Sequence, residues 1–219
     1  MFFMTFMPDS LEILHFDKDK AVAIKPVGVS SEGDEGMPGI VQKALLEKGV
    51  KCTVFPLHRL DTAVGGVMIF ALNKSYAAKM SAEIAQNNLK KEYLAVIHGC
   101  PEEKNGVFKD LLFKDSRKNK SFIVNRMRKG VKEASLEYSV LEEQGGLSLV
   151  RILLHTGRTH QIRVQFSGRK MPLFADGKYG GKENGNIGLF SHRLTLPDGQ
   201  VFEALPKGGK PWDNFEFLK

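Results

Sequence analysis

Residues 135–154 narrow the fold more than any other part of the chain. Leu136, Tyr138 and Val140 alternate with polar neighbours, a second strand-like run covers residues 147–154, and Gln144-Gly145-Gly146 stands between them. Alternation of period two sends successive side chains to opposite faces of a sheet, and paired glycines allow the positive-φ backbone of a tight hairpin turn. The pattern predicts an antiparallel hairpin. Residues 91–98 form another run rich in strand-favouring types, with Tyr93, Ala95 and Ile97 on one face. Residues 11–16 and 21–25 flank an Asp17-Lys18-Asp19-Lys20 turn and predict a second hairpin. Helices are fewer. One is predicted over residues 40–48, after a glycine- and proline-containing loop at 30–39. A second is predicted over 76–86, capped by Ser75, with Tyr76, Met80 and Ile84 on its buried face. The tail from Leu189 to Phe217 has Pro197-Asp198-Gly199 and Pro206-Lys207-Gly208-Gly209 turns and predicts one or two further strands. Many strands, few helices and no regular βαβ alternation point to an α+β fold on a mostly antiparallel sheet, flanked by helices and loops. At 219 residues and 42% hydrophobic content, the chain is expected to form a single domain spanning residues 1–219.

Charge is unevenly distributed. Between Lys114 and Lys132 stand Lys114, Arg117, Lys118, Lys120, Arg126, Arg128, Lys129 and Lys132 against one acid, Asp115, so this segment carries the whole +7 of the chain. Such a patch suits a polyanion such as nucleic acid, although a solvated loop would look the same. No run approaches the roughly 18 to 20 apolar residues of a membrane span. Met1 to Met7 is apolar but short and lacks a basic flank, so no leader is expected. Cys52 and Cys100 are too few for a disulfide scaffold or a four-thiolate zinc site; two reduced thiols in a cytoplasmic protein are expected.

Three stretches, one of them the Tyr93 strand above, are denser in reactive side chains than packing requires. In Pro56-Leu57-His58-Arg59-Leu60-Asp61-Thr62-Ala63-Val64-Gly65-Gly66-Val67-Met68-Ile69-Phe70-Ala71, a charged cluster runs into an apolar strand. A carboxylate there is costly unless paired or used, and Asp61 taken alone reads equally as a salt-bridged structural group. In Thr156-Gly157-Arg158-Thr159-His160-Gln161-Ile162-Arg163-Val164, a glycine turn precedes a predicted helix with Thr159 as its cap and His160 and Arg163 at i and i+3. No histidine pair has zincin spacing and no serine elbow is present, so neither a metal site nor a serine hydrolase is expected. Gly177-Lys178-Tyr179-Gly180-Gly181-Lys182-Glu183 lacks the spacing and the Ser or Thr of a P-loop.

Taken in order, these segments resemble the motifs of RluA-family pseudouridine synthases. His58-Arg59-Leu60-Asp61, Lys91-Glu92-Tyr93 and the 156–164 stretch carry the resemblance. Lys25-Pro26-Val27-Gly28-Val29 is similar to the family's opening element, and Asp176-Gly177-Lys178-Tyr179-Gly180 and Ser191-His192-Arg193-Leu194 to its closing ones. The likeness extends from about residue 10 to residue 205. It departs from the family at Val64-Gly65-Gly66, where Thr-Ser-Gly is common, and, with strands beginning near residue 11, the N-terminal S4 domain of many relatives is expected to be absent.

The resemblance implies a pseudouridine synthase fold and an enzyme that isomerises uridine in ribosomal or transfer RNA. The glycosidic carbon–nitrogen bond would break, and the uracil would rejoin through its carbon 5 after the nucleotide is flipped into a pocket. It assigns Asp61 as nucleophile, leaving open whether the carboxylate attacks the sugar or the ring or abstracts a proton. It makes Arg163 the cation that pairs with that aspartate, and Tyr93 the ring that stacks on the target base. Arg59 would help displace the base, with a salt bridge to Asp61 as the alternative. His58 falls with the substrate-binding residues, and Ile162 is either an apolar wall of the uracil pocket or a core residue. Arg126, Arg128 and Lys129 would hold RNA phosphates. No cofactor and no metal are implied, and a monomer acting on structured RNA away from membranes is expected. The rival reading is a non-catalytic RNA-binding protein or chaperone on the same fold.

Overall fold

The computed structural model describes residues 11–218, so the apolar opening Met1 to Met7 lies outside the described residues. In chain order the elements are β1 (Ile13–Phe16), β2 (Lys20–Lys25), α1 (Met37–Glu47), β3 (Phe55–Pro56), β4 (Gly65–Ala71), α2 (Lys74–Ala85), β5 (Lys90–His98), β6 (Asn105–Asp115), β7 (Lys120–Val124), β8 (Val131–Gln144), β9 (Leu147–Leu154), α3 (Gln161–Ser167), β10 (Leu189–Thr195) and β11 (Val201–Glu203). The α+β class is as expected. The chain forms two compact units, one of residues up to Leu89 with Arg193–Ala204, the other of Lys90–His192 with the residues from Leu205 onward.

In the first unit β1 and β2 form the expected hairpin, and β2 pairs antiparallel with β4 from Lys20↔Ala71 to Lys25↔Gly66. Asp17 makes the hairpin turn, its Oδ1 accepting from the backbone N–H groups of Asp19 and Lys20 at 2.8 Å each. Every position of β4 is buried, and Val22, Val67, Ile69, Leu89, Leu194 and Leu196 form the core. Helix α1 begins at Met37 rather than Ile40, because Pro38 occupies the first turn, where its missing N–H and fixed φ cost nothing. Helix α2 is capped by Asn73 instead of Ser75. The Asn73 Oδ1 accepts from the Tyr76 N–H at 2.8 Å, and its Nδ2 donates to Asp19 Oδ1 at 3.0 Å, so the cap also ties the helix to the β1–β2 turn.

In the second unit the strands run antiparallel in the order β5-β9-β8-β6-β7. The β8–β9 turn is the glycine pair, with φ of 59° at Gly145 and 78° at Gly146, conformations that L side chains resist. Strands β6 and β7 go beyond the sequence expectation. They lie in and before the basic segment, which is therefore not one loop but a strand end, a hairpin turn, the strand β7 and the exposed residues 125–130 leading into β8. Its charge masks the alternation that a strand reading relies on. One core cluster gathers Leu94, Val96, Leu149, Phe174, Trp212 and Phe215, and another joins Leu112, Ala134, Val164 and Tyr179. Among the described residues no helix is long and apolar enough to cross a membrane, and Cys52 and Cys100 are free thiols.

The α2 cap gives a simple test. Asn73→Ala is expected to lower unfolding free energy by about 1 to 2 kcal/mol, since it removes the cap bond and the tie to the turn. Ser75→Ala should change it by less than about 0.5 kcal/mol. Denaturant melts of the two variants check the assignment, and equal effects would return the cap to Ser75.

Candidate active site

In the first unit the loop between β3 and β4 carries His58, Arg59 and Asp61, and it is fastened from below. The Lys25 side chain has no exposed surface, and its Nζ donates to the carbonyls of Pro26 at 2.8 Å and Thr62 at 3.1 Å. The Thr62 carbonyl also accepts from the Gly28 N–H at 2.8 Å, where φ of 89° suits glycine. Next to it, the Ser31 hydroxyl donates to the Leu60 carbonyl at 2.7 Å and accepts from the Leu60 N–H at 2.9 Å. The Val64 N–H donates to the Asp61 carbonyl at 2.9 Å and closes a turn beneath the half-buried Asp61. Burial pulls the Lys25 ammonium down to about 8, and the negative charge of Asp61 opposes that fall.

Arg59 is held separately from this anchor, on an exposed carboxylate. Its Nη1 donates to Glu32 Oε1 at 3.0 Å with the side chain 73% exposed, so the carboxylate it meets is Glu32. A pair that open to solvent holds its partner by at most about 1 kcal/mol. The guanidinium can be redirected cheaply. His58 is half-buried and accepts from the Ile69 N–H through Nε2 at 3.2 Å, which commits one ring nitrogen to holding β4.

In the second unit Tyr93 is 7% exposed on β5, in register with Ile152 of β9. Helix α3 is a short helix whose cap is His160, in the left-handed region at φ 53°, and not Thr159. The turn before it is held by Gln161, whose Oε1 accepts from the Thr156 hydroxyl at 2.8 Å and the Arg158 N–H at 3.0 Å. With that side chain serving the turn, Thr159 instead offers its carbonyl to the Ser121 hydroxyl at 2.6 Å. Arg163 is buried, and Asp176, with no exposed side-chain surface, grips it in two parallel bonds, Nε to Oδ2 at 2.7 Å and Nη2 to Oδ1 at 2.8 Å. A bidentate fork fixes both position and plane of a guanidinium. The Tyr179 ring lies 5.2 Å from the Arg163 Cζ, and His160 Nδ1 is 3.0 Å from the Tyr179 hydroxyl, so His160 and Arg163 converge on that tyrosine. Ile162 is 4% exposed. Arg126, Arg128 and Lys129 stand exposed in the 125–130 segment, with Arg128 5.2 Å over the Phe113 ring.

Lys25, Asp176 and Tyr179 stand inside family-like motifs, yet the sequence alone gives them no role. For Lys25 the available signal is a lone cation ending the otherwise apolar run Ala21-Val22-Ala23-Ile24; for Asp176, a carboxylate following Leu173-Phe174-Ala175.

The family described as RNA pseudouridylate synthase matches residues 20–168. A protein of Buchnera aphidicola subsp. Baizongia pistaciae named ribosomal large subunit pseudouridine synthase C is 32% identical over 173 residues, covering 78% of this chain and 54% of the relative. The protein of the same name from Buchnera aphidicola subsp. Acyrthosiphon pisum is 28% identical, covering 90% of this chain and 64% of the relative. The chain thus spans between about half and two thirds of these relatives' length. An uncharacterized RNA pseudouridine synthase of Zymomonas mobilis is 31% identical over 84% of this chain and 86% of its own length. Among solved structures, human RNA pseudouridylate synthase domain containing 4 superposes with a TM-score of 0.76 at 24% identity, covering 91% of this chain and 89% of that one, a likeness of fold.

The contacts of Lys25 set an expectation that does not depend on turnover. A ¹³C-labelled lysine titration should give Lys25 a midpoint at about 8, and Asp61→Asn should move it lower by removing the opposing charge. Between that midpoint and the ordinary lysine range the unfolded chain binds more protons than the folded one, so the Lys25 contribution to stability rises with pH across that window. A midpoint in the ordinary range, or one indifferent to Asp61→Asn, would contradict the coupling.

Proposed function

Because the chain belongs to the RNA pseudouridylate synthase family, as an RluA-type catalytic domain, we propose that it isomerises uridines of structured RNA to pseudouridine with Asp61 as nucleophile. The observation that carries the reading is Asp61 on a loop pinned by the buried Lys25 cation, at the entry to a fully buried strand. Nucleophilic catalysis needs a carboxylate that is ionised and held still. The Lys25 anchor supports the second of these.

Tyr93 and Arg163 are assigned to the same reaction by the motif order, Tyr93 as the ring that stacks on the flipped base and Arg163 as a cation at the reacting groups. Arg59, redirected from Glu32, suits the displacement of the base, since a planar cation stacks where the base has left. His58 lines the substrate side of the loop and Ile162 the apolar side of the pocket. Arg126, Arg128 and Lys129 take RNA phosphates. Neither a cofactor nor a metal enters, because the product is an isomer of the substrate. The two units are read as one catalytic domain, acting as a monomer in the cytoplasm. The Buchnera relatives are named for the large ribosomal subunit, which favours ribosomal over transfer RNA as the first substrate to test.

Asp61→Asn is expected to bind RNA as the wild type does and to form no pseudouridine in an unmodified large-subunit rRNA transcript, read by nucleoside chromatography after digestion. Conversion near the wild-type rate would reject the nucleophile. Binding without conversion by the wild-type chain on either RNA class would favour the non-catalytic reading. Replacing Arg126, Arg128 and Lys129 together by glutamine should weaken binding and reduce the salt slope of affinity by roughly 0.7 to 0.9 for each phosphate no longer neutralised. An unchanged slope would leave residues 125–130 a solvated loop.

A further inference from the structure

The turn at residues 176–181 in the second unit touches two functional elements at once. On one side it holds helix α3. Asp176 grips Arg163 through both carboxylate oxygens at 2.7 and 2.8 Å, the Tyr179 ring lies 5.2 Å from the Arg163 Cζ, and the Ser167 hydroxyl donates to the Tyr179 carbonyl at 2.6 Å. On the other side it holds the start of β7, inside the basic segment. The Ser121 N–H donates to the Tyr179 hydroxyl at 2.8 Å, Lys120 Nζ donates to the Lys178 carbonyl at 2.5 Å, and Lys178 Nζ donates to the Asn119 carbonyl at 3.0 Å. Lys120 Nζ also lies 4.8 Å from the centroid of the same Tyr179 ring.

The turn itself has little slack. The N–H groups of Tyr179 and Gly181 both donate to the Asp176 carbonyl at 2.9 Å, and a Cβ at Gly181 would come within 2.4 Å of the Asp176 nitrogen. A displacement of the β6–β7 hairpin therefore reaches Tyr179 through its hydroxyl and its ring rather than being absorbed by a loose connection. Two cations sharing one aromatic face system also sense each other, because the ring quadrupole attracts both while the charges repel.

We propose that Tyr179 is a positioning residue through which RNA held on the basic segment around β7 sets the orientation of the Arg163 guanidinium. The proposal rests on the assignment of Arg163 to the reaction made above, and it adds that engagement of phosphates far along the chain prepares the cation for catalysis.

Two measurements test it. In single-turnover assays with excess enzyme on an unmodified large-subunit rRNA transcript, Tyr179→Phe keeps the ring and loses the hydroxyl bonds, and Tyr179→Leu loses both. The rate at saturation is expected to fall about tenfold and about a hundredfold respectively, the scale on which small misplacements act, with half-saturation within about threefold of wild type. In the free protein, the ¹⁵N resonance of the Arg163 Nε–H, assigned by its loss in Arg163→Lys, should shift on Lys120→Gln, and that shift should shrink in a Tyr179→Phe background, which keeps the ring without its hydroxyl bonds, and vanish in a Tyr179→Leu background. Saturating rates within twofold of wild type in both tyrosine variants would overturn the proposal, as would an Arg163 resonance indifferent to Lys120. If the wild-type chain converts no uridine, the functional reading falls and the resonance measurement alone decides the coupling. If Tyr179→Leu does not fold, Tyr179→Phe carries both tests.

Discussion

The Lys25 ammonium has no exposed surface, so the interactions that offset its lost hydration must come from the protein itself. It finds the carbonyls of Pro26 and Thr62 by hydrogen bonds and the charge of Asp61 by proximity in the field. Each of these partners is a constraint on the chain. The β2–β4 register sets Lys25 opposite Gly66, the Thr62 carbonyl is drawn down onto Gly28 and Lys25, and Ser31 holds Leu60 from the other side. The loop bearing Asp61 is thereby fixed at both flanks of the aspartate.

A second buried cation organises the other unit in a different way. Arg163 is paired outright, in a fork with Asp176, and is backed by an aromatic ring. Guanidinium suits this role because it stays charged and presents two parallel donors, whereas a buried lysine keeps its proton only conditionally. One unit therefore holds a cation whose pKa burial pulls down, and the other a cation clamped by a buried carboxylate. The exposed cations form a third group. Arg59 and the 125–130 arginines are held loosely, as their proposed contacts with RNA would require.

Much of the architecture is legible in the sequence because it rests on local rules. The Gly145-Gly146 hairpin, the Asp17 turn and the β5 alternation all follow from residue types at fixed spacings, and the structure has them where the sequence puts them. The caps differ from expectation for one reason. Ser75 and Thr159 are good cap types by their own chemistry, but Asn73 has a second partner in Asp19 and Gln161 has taken over the turn before α3, facts of tertiary structure. Strands β6 and β7 are hidden because their outward positions carry the charge that makes the segment resemble a loop. Asp61, Tyr93 and Arg163 can be named from motif order. Lys25 and Asp176 can be located but not interpreted, since burial and pairing with residues 37 and 13 positions away are invisible in a single sequence.

In the proposed reaction a carbon–carbon bond replaces a carbon–nitrogen bond at uracil without any atom being added to the RNA. Large-subunit rRNA transcribed with tritium at carbon 5 of uridine gives the most direct measure, because that hydrogen must leave when the uracil rejoins through carbon 5. The wild-type chain should release tritium to water in proportion to the pseudouridine formed, with the RNA otherwise unchanged in mass. Full retention of tritium during prolonged incubation with transcript that the protein demonstrably binds would contradict the isomerisation itself.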